Sequence, residues 1–194
     1  GILQPGQRLV ENQLSERFGI KRHLSREILR KLAQNHFVSI VPNVGAFVSE
    51  LSQKDVEQIY DLEAVLEGLA SRLVASFVLY TQLSATPLEE LMDEMDRADD
   101  LALFTDLNNR FHSLLISLSG NKRLVELTND LRQYLHFYGF VSFLSPNQVR
   151  ISRAEHRKIF EAIKEANPDF AETLMRSHIL DAKNRLVKYL HKSL

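Results

Sequence analysis

Histidine is the residue type whose positions in this sequence point most directly to chemistry. Of the 7 histidines, His112, His156 and His178 lie inside apolar stripes with helical spacing. Asn108 precedes His112 by four residues, so its amide oxygen projects from the same helical face. A single buried histidine is usually a hydrogen-bonded core residue. Three neutral imidazoles and an amide oxygen suit a divalent metal ion better, and a chain with 0 cysteines leaves only nitrogen and oxygen ligands.

The spacing of two of these histidines predicts that they meet. The segment Asn167-Pro168-Asp169 breaks the helical pattern between His156 and His178, and Asn167 lies midway between them. An antiparallel hairpin that turns there places both imidazoles about 16 Å from the turn, at about 1.5 Å per residue. We therefore expect the two side chains to lie level with each other on adjacent helices.

A basic cluster near the N-terminus suggests a second kind of chemistry, the binding of DNA. Its residues open a predicted second helix and are Lys21, Arg22, His23 and Arg26. In a helix-turn-helix this helical end enters the major groove, where side chains reach base edges and the helix dipole favours phosphate. Residues 1–50 contain 7 Lys and Arg against 4 Asp and Glu, whereas residues 51–194 contain 17 against 21. Only the first segment therefore suits a polyanionic partner.

The elements that must position these residues fall into two parts. In the first part, helices are predicted at 11–18 and 24–34, and two β-rich runs at 37–41 and 46–48 flank a turn. From residue 52 the pattern is helical, with predicted helices at 53–78, 86–98, 101–118, 122–142, 151–166 and 169–192. We expect a mainly α fold, with a winged helix-turn-helix and its small β-hairpin at 1–50 and an all-α helical bundle at 51–194.

The composition is typical of a globular protein. The 194 residues are 44% hydrophobic and 25% charged, which excludes a disordered or fibrous chain. No apolar run reaches about 18 residues, and the first residues do not form a basic and then apolar leader. We therefore expect a soluble, cytoplasmic protein with no membrane partner.

The first residues resemble the DNA-binding module of the GntR family of bacterial transcription regulators. The resemblance covers residues 2–50 and depends on Pro5-Gly6, Leu9, Leu14, Phe18-Gly19, Arg22, Arg26-Glu27, Leu29, Leu32 and Gly45-Ala46-Phe47-Val48. It implies that the chain binds double-stranded operator DNA through Asn12, Lys21, Arg22, His23, Arg26 and, in the wing, Gly45. It also implies a first helix that precedes residue 1.

Residues 52–190 resemble the FCD effector domain of the FadR-like GntR subfamily. The matching segments are Asp55 to Glu67, Asn108 to His112, Gly120-Asn121, Glu155-His156, Ala162-Ile163, Ala171 and His178. Many members of that family bind a divalent metal ion through an Asp or Asn and three His, and a carboxylate-bearing small-molecule effector completes the coordination. The resemblance therefore implies that Asn108, His112, His156 and His178 hold a metal ion, with zinc, nickel and manganese as the alternatives.

Two positions depart from the family pattern. Asn108 stands where an Asp is common, and a neutral amide supplies less charge to a dication, so we expect a lower metal affinity. Glu63 stands where many relatives carry an Arg that helps to hold the effector. Since a carboxylate there repels a carboxylate ligand, we expect an effector that is cationic, amphoteric or held by Arg110 or Arg132. The sequence does not choose between these alternatives.

We interpret the chain as a homodimeric, ligand-responsive transcription regulator and not as an enzyme. Dimerisation follows from DNA geometry, because half-sites about 34–36 Å apart need two recognition helices in a fixed relation. One alternative is a metal-free regulator of the same family that binds an acyl or other apolar ligand. The other is a His-ligated metalloenzyme, since three histidines with an open coordination position activate water. Against the enzyme, Glu155 is expected to point away from the metal site because it neighbours His156 in sequence.

Overall fold

The computed structural model describes residues 3–50, 52–81, 85–137 and 145–193. The chain divides into two compact units, Gly1–Ser52 and Gln53–Leu194. In chain order the elements are β1 (Arg8–Leu9), α1 (Glu11–Phe18), α2 (Arg22–Gln34), β2 (Val38–Val41), β3 (Gly45–Val48), α3 (Gln53–Thr81), α4 (Thr86–Arg97), α5 (Leu101–Leu118), α6 (Lys122–Phe137), α7 (Pro146–Lys164) and α8 (Pro168–Ser193). The predicted fold class, mainly α with a small antiparallel sheet in the first unit, is confirmed.

Helices α1 and α2 form the helix-turn-helix of the first unit. Helix α1 ends before Gly19, whose φ of 63° is a left-handed conformation that glycine adopts without strain. Helix α2 begins at Arg22, two residues before the predicted start, because its first residues are polar and extend no apolar stripe. The hydroxyls of Ser15 and Ser25 hydrogen-bond to each other at 2.8 Å and so join the two helices.

The wing is a three-stranded antiparallel sheet in the order β1-β3-β2. Strands β2 and β3 form the predicted hairpin, in which Val41 pairs with Gly45 next to the turn. Strand β1 was not predicted, because two residues are too short to show an alternating pattern. A small core joins this sheet to α2, and its buried residues are Leu9, Leu29, Val38, Ala46 and Val48.

The second unit is a helical bundle in which the long helices α3 and α8 pack against each other. Its core contains aromatic rings and methionines that are fully buried, namely Phe104, Phe111, Phe160, Met92, Met95 and Met175. These rings and methionines come from helices α4, α5, α7 and α8, so the core fixes the helices that carry the three histidines. None of the described helices is long and apolar enough to cross a membrane.

Helix α7 corrects one predicted boundary. It begins at Pro146 and not near residue 151, because Ser145 caps it. The Ser145 hydroxyl accepts a hydrogen bond from the Gln148 backbone N–H, and the Gln148 side chain accepts one from the Ser145 backbone N–H. The predicted break at Ser145-Pro146-Asn147 is therefore a helix start. The predicted end of the fourth bundle helix, near residue 142, lies outside the described residues.

The hairpin between α7 and α8 turns where the sequence predicts. Ala166 takes a left-handed φ of 52°, and the Asn167 N–H donates to the carbonyl of Ala162 at 3.0 Å, which closes the end of α7. Asn167 then caps α8, since its side-chain oxygen accepts a hydrogen bond from the Phe170 N–H at 3.3 Å. The two helices therefore run antiparallel from this point.

Candidate metal centre and nucleic-acid interface

The basic cluster lies on the surface of the first unit. Arg22 and Arg26 are one turn apart on α2, and their side chains are 64% and 52% exposed. Asn12, Lys21 and His23 are also exposed. These side chains are therefore accessible from solvent, as contacts with a DNA groove require.

Glu11 organises the two arginines. Its carboxylate accepts hydrogen bonds from Arg26 Nε at 2.8 Å and Nη2 at 2.9 Å, and a further one from Arg22 Nε at 3.2 Å. The hydrogen bond from Arg26, followed by that from Arg22, lowers the pKa of Glu11 to about 2. Sequence reasoning missed Glu11, because its distance along the chain from α2 gives no signal of contact.

The wing and α2 enclose a groove of about 410 Å³ on this unit, whose lining includes Arg8, Arg22, Arg26, Arg30 and Gly45. Arg8 Nη2 donates to the Val44 carbonyl at 2.7 Å. At Gly45 the φ is 140°, and a Cβ atom would lie 3.2 Å from Arg8 Nε. A side chain at this wing position is therefore both strained and crowded, which explains the glycine.

The three histidines of the bundle form one buried cluster. His112 on α5, His156 on α7 and His178 on α8 are at most 4% exposed. The ring centroids of His156 and His178 are 4.3 Å apart, as the hairpin prediction requires. Each ring offers a nitrogen atom such that the three atoms lie within 4.8 Å of one another. His112 Nε2 and His156 Nε2 are 3.1 Å apart.

The Nδ1 atom of each histidine already has an acceptor. His112 Nδ1 contacts the Glu67 carboxylate, and His178 Nδ1 lies 2.6 Å from Glu155 Oε2. His156 Nδ1 lies 2.7 Å from the Ser152 carbonyl oxygen. Carboxylate and carbonyl oxygens only accept hydrogen bonds, so a ring that is neutral carries its proton on Nδ1 and keeps a lone pair on Nε2.

Burial keeps two of these rings neutral. Desolvation lowers the pKa of His112 below its ordinary value of 6.5, against the opposing effect of Glu67. Desolvation and the neighbouring His178 lower the pKa of His156 still further. Neutral imidazole is the form that binds a metal ion, so His112 and His156 require no deprotonation near pH 7.

Two carboxylates lie beside the cluster. One of them, Glu155, contradicts a prediction, and the other, Glu67, was not predicted as a site residue. The Glu155 side chain does not point away from the site, because α8 packs against α7 and brings His178 within hydrogen-bonding distance of it. Glu67 on α3 was not predicted as a site residue, although it is only 1% exposed. Burial works to raise the pKa of Glu67, but His112 and Arg132 outweigh burial and lower it, so the carboxylate is ionised.

The remaining predicted site residues lie at different depths. Asn108 is half-buried one turn before His112 on α5. Arg132 is 16% exposed, donates to Ser113 Oγ at 3.2 Å and lies 3.9 Å from Glu67 Oε1. Arg110 is 54% exposed and pairs with Glu94 at 3.4 Å. The structure therefore brings Arg132 to the histidine cluster and leaves Arg110 on the surface.

Comparison with known proteins agrees with both halves of this description. The family model named FCD domain matches residues 58–181, and the model named bacterial regulatory proteins, gntR family, matches residues 1–48. An uncharacterized HTH-type transcriptional regulator of Bacillus subtilis, YdhC, is 31% identical over 183 residues, which cover 92% of this chain and 80% of the relative.

A second relative and a solved structure give the same result. The HTH-type transcriptional repressor RspR of Escherichia coli is 26% identical and covers 92% of this chain and 78% of its own length. The structure of E. coli McbR/YncC superposes with a TM-score of 0.73 at 19% identity, covering 98% of this chain and 91% of that one, and so shows the shared fold. The chain thus belongs to the GntR family of bacterial regulatory proteins with an FCD domain, and it is a DNA-binding transcription regulator, not an enzyme.

Proposed function

We propose that this regulator responds to a small-molecule effector at a site built around a divalent metal ion. His112, His156 and His178 would hold the ion, with the amide oxygen of Asn108 as a fourth donor. The observation that carries this proposal is that each of the three buried imidazoles offers a nitrogen atom within 4.8 Å of the other two, while all three Nδ1 atoms have acceptors.

The donor set fits a metal ion better than it fits a hydrogen-bonded core. His112 Nε2 and His156 Nε2 are only 3.1 Å apart, yet two lone pairs cannot hydrogen-bond to each other. A cation between them satisfies both atoms together with His178. Nitrogen donors with an amide oxygen suit zinc, nickel or manganese, and the carboxylates on two Nδ1 atoms orient the rings for such an ion.

A bound ion would supply a positive charge that attracts an anionic group of the effector. The chain's own residues then have separate tasks. Glu67 and Glu155 hold the rings of His112 and His178 and balance the charge, whereas Arg132 places a guanidinium at the edge of the same cluster. A carboxylate-bearing effector would find two cationic groups there.

Metal titration of the full chain tests this proposal. After treatment with a chelator, the protein should bind one equivalent of zinc, nickel or manganese in calorimetry. At about 100 times the dissociation constant, binding should add about 2.7 kcal/mol to the free energy of unfolding. His156→Ala should abolish this gain, and His23→Ala, at an exposed histidine of α2, should retain it. Equal melting temperatures with chelator and with each metal would instead favour the metal-free regulator that binds an apolar ligand.

We further propose that residues 1–50 form the DNA-binding domain, with contacts from Asn12, Lys21, Arg22, His23, Arg26 and the wing at Gly45. Arg26→Ala should weaken binding to the specific operator by about 1–3 kcal/mol if the guanidinium reaches a base edge. Lys31→Ala is the matched control, since Lys31 is exposed at the other end of α2. Equal losses for the two variants would place the base contacts elsewhere.

We also propose that residues 51–194 form a domain that dimerises through α3. Apolar residues line the outer face of this helix at helical spacing, and Leu62, Val65 and Tyr80 are 54%, 48% and 80% exposed. Sedimentation of the full chain should show a dimer at micromolar concentration. A double change, Leu62→Glu with Val65→Glu, should produce a monomer, whereas Leu103→Glu at an exposed position of α5 should not. A dimer that survives the double change would exclude this face.

A further inference from the structure

A buried carboxyl group one helical turn before Glu67 has an oxygen atom without a hydrogen-bond partner among the described residues. Glu63 lies on α3 and is 3% exposed. Its Oε1 atom is shielded from solvent, yet no described side chain or backbone group donates a hydrogen bond to it. A buried acceptor without a donor is costly, so this atom calls for a donor from outside the described residues.

The groups around Glu63 have their interactions elsewhere. Glu67 follows it by one helical turn and is bonded to His112. Arg132 acts on both carboxylates through its charge, but its described contacts are with Ser113 and Glu67. Two carboxyl groups therefore share one guanidinium, and an ionised Glu63 would need a second positive charge on its side of the site.

We infer that the effector carries a cationic nitrogen that donates to Glu63, in addition to the carboxylate that binds near Arg132 and the metal ion. The effector class is therefore an amino carboxylate. This inference rests on the proposed metal-centred effector site.

Other ligand classes fit the site less well. A ligand with carboxylates alone would add negative charge near Glu63 and Glu67 and leave Oε1 without a donor. A neutral hydroxyl would supply a donor but no charge. An ammonium group supplies both, and a charge-assisted hydrogen bond in a buried site is stronger than a neutral one.

The protonation of Glu63 is consistent with an ammonium group as its ligand partner. Burial and the nearby Glu67 raise its pKa to about 8, although Arg132 works in the opposite direction. In the absence of a cationic partner the carboxyl group therefore keeps a proton at neutral pH. A ligand ammonium would take the position of that proton.

Matched pairs of ligands that differ only in the amino group test the inference on the zinc-loaded full chain. The probes are glycine with acetate, 4-aminobutyrate with butyrate, and L-leucine with 4-methylpentanoate, each measured by calorimetry and by release of operator DNA. At least one amino carboxylate should bind about tenfold more tightly than its deaminated partner, and Glu63→Gln should reduce that preference to less than about threefold. Because amino carboxylates also bind free zinc, the difference between wild type and variant isolates the part due to Glu63.

The controls separate this inference from the proposed function. Glu90→Gln removes an exposed carboxylate of α4 and should leave the preference unchanged. Glu63→Gln should keep the zinc affinity, whereas His156→Ala should lose it. A wild-type protein that binds zinc but prefers no amino carboxylate, or a preference that survives in Glu63→Gln, overturns the inference and leaves the metal site intact. A wild-type protein that binds no zinc overturns both.

Discussion

The two units of this regulator each place one carboxylate between residues of a proposed site, one near the surface and one in the core. In the first unit, Glu11 bonds to Arg22 and Arg26, and its side chain keeps 25% of its exposure. In the bundle, Glu67 bonds to His112 and neighbours Arg132, and its side chain keeps 2%. A glutamate thus holds nitrogen-bearing side chains in both units, near solvent in the first and in the core of the second.

This difference in depth decides what each carboxylate contributes. An exposed ion pair is worth about 0–1 kcal/mol, because water and salt compete for both charges. Arg22 and Arg26 can then leave Glu11 for DNA at little cost. A buried charge cannot exchange its partners for water, so Glu67 holds His112 in one orientation. The first arrangement suits a surface that must rearrange, and the second suits a site that must not.

Loss of the buried carboxylate should give the largest effect. Glu67→Gln leaves the Arg132 charge partly buried without its anion, and we expect the free energy of unfolding to fall by about 3 kcal/mol. Metal affinity should fall by about 10–100-fold, because the His112 ring loses its anionic partner. Urea unfolding and metal calorimetry measure the two effects. A loss of stability under about 1 kcal/mol would mean that burial does not separate the two carboxylates.

Glu63, on the same helix as Glu67, should make the stability of the bundle depend on pH. The unfolded carboxyl group ionises near its ordinary pKa of 4.5 and the folded one near 8, so the wild type loses stability as pH rises between these values. The glutamine in Glu63→Gln does not titrate. We therefore expect the metal-free variant to gain about 2 kcal/mol relative to wild type between pH 5 and pH 8.5, about half of the roughly 4 kcal/mol that about 1.36 kcal/mol per unit of pKa shift gives before relaxation. Unfolding at the two pH values measures it, and Glu90→Gln should show no such trend.

Loss of the exposed carboxylate of Glu11 should have a small effect on stability and a measurable effect on DNA sequence specificity. Glu11→Gln should change the free energy of unfolding by less than about 1 kcal/mol. Since Arg22 and Arg26 lose their shared anchor, the ratio of specific to non-specific DNA affinity should fall. Competition binding at two salt concentrations reports that ratio. A destabilisation as large as that of Glu67→Gln would contradict the assigned difference between the two sites.

The smallest effect is expected at a surface pair within the bundle itself. Arg110→Ala removes an exposed partner of Glu94 and should change stability by less than about 0.5 kcal/mol. The same variant should retain full metal affinity and effector response. Arg132→Ala is the contrasting variant, because its guanidinium lies at the cluster. If Arg110→Ala alone abolished the response, that result would support the predicted role of Arg110 in effector binding.

Periodicity was enough to predict much of the fold and the meeting of the histidines. Helix spacing is a local property, so the apolar stripes and the break at Asn167 together determine that His156 and His178 lie level on a hairpin. The boundary of α7 was less accessible, because a capping residue such as Ser145 contributes no apolar stripe. The two-residue strand β1 carried no pattern to detect.

The sequence alone determined the winged helix-turn-helix, the helical bundle, the basic cluster and the three histidines, because each follows from residue types at short and regular spacing. The carboxylates that surround the histidine cluster could be identified only from the folded chain. Glu67 and Glu155 become partners of His112 and His178, because separate helices bring them together. Glu63 is buried, and its Oε1 atom has no donor among the described residues. The structure likewise separated Arg132 at the cluster from Arg110 at the surface. Burial and long-range contact are not local properties, so residue type and spacing could not predict them.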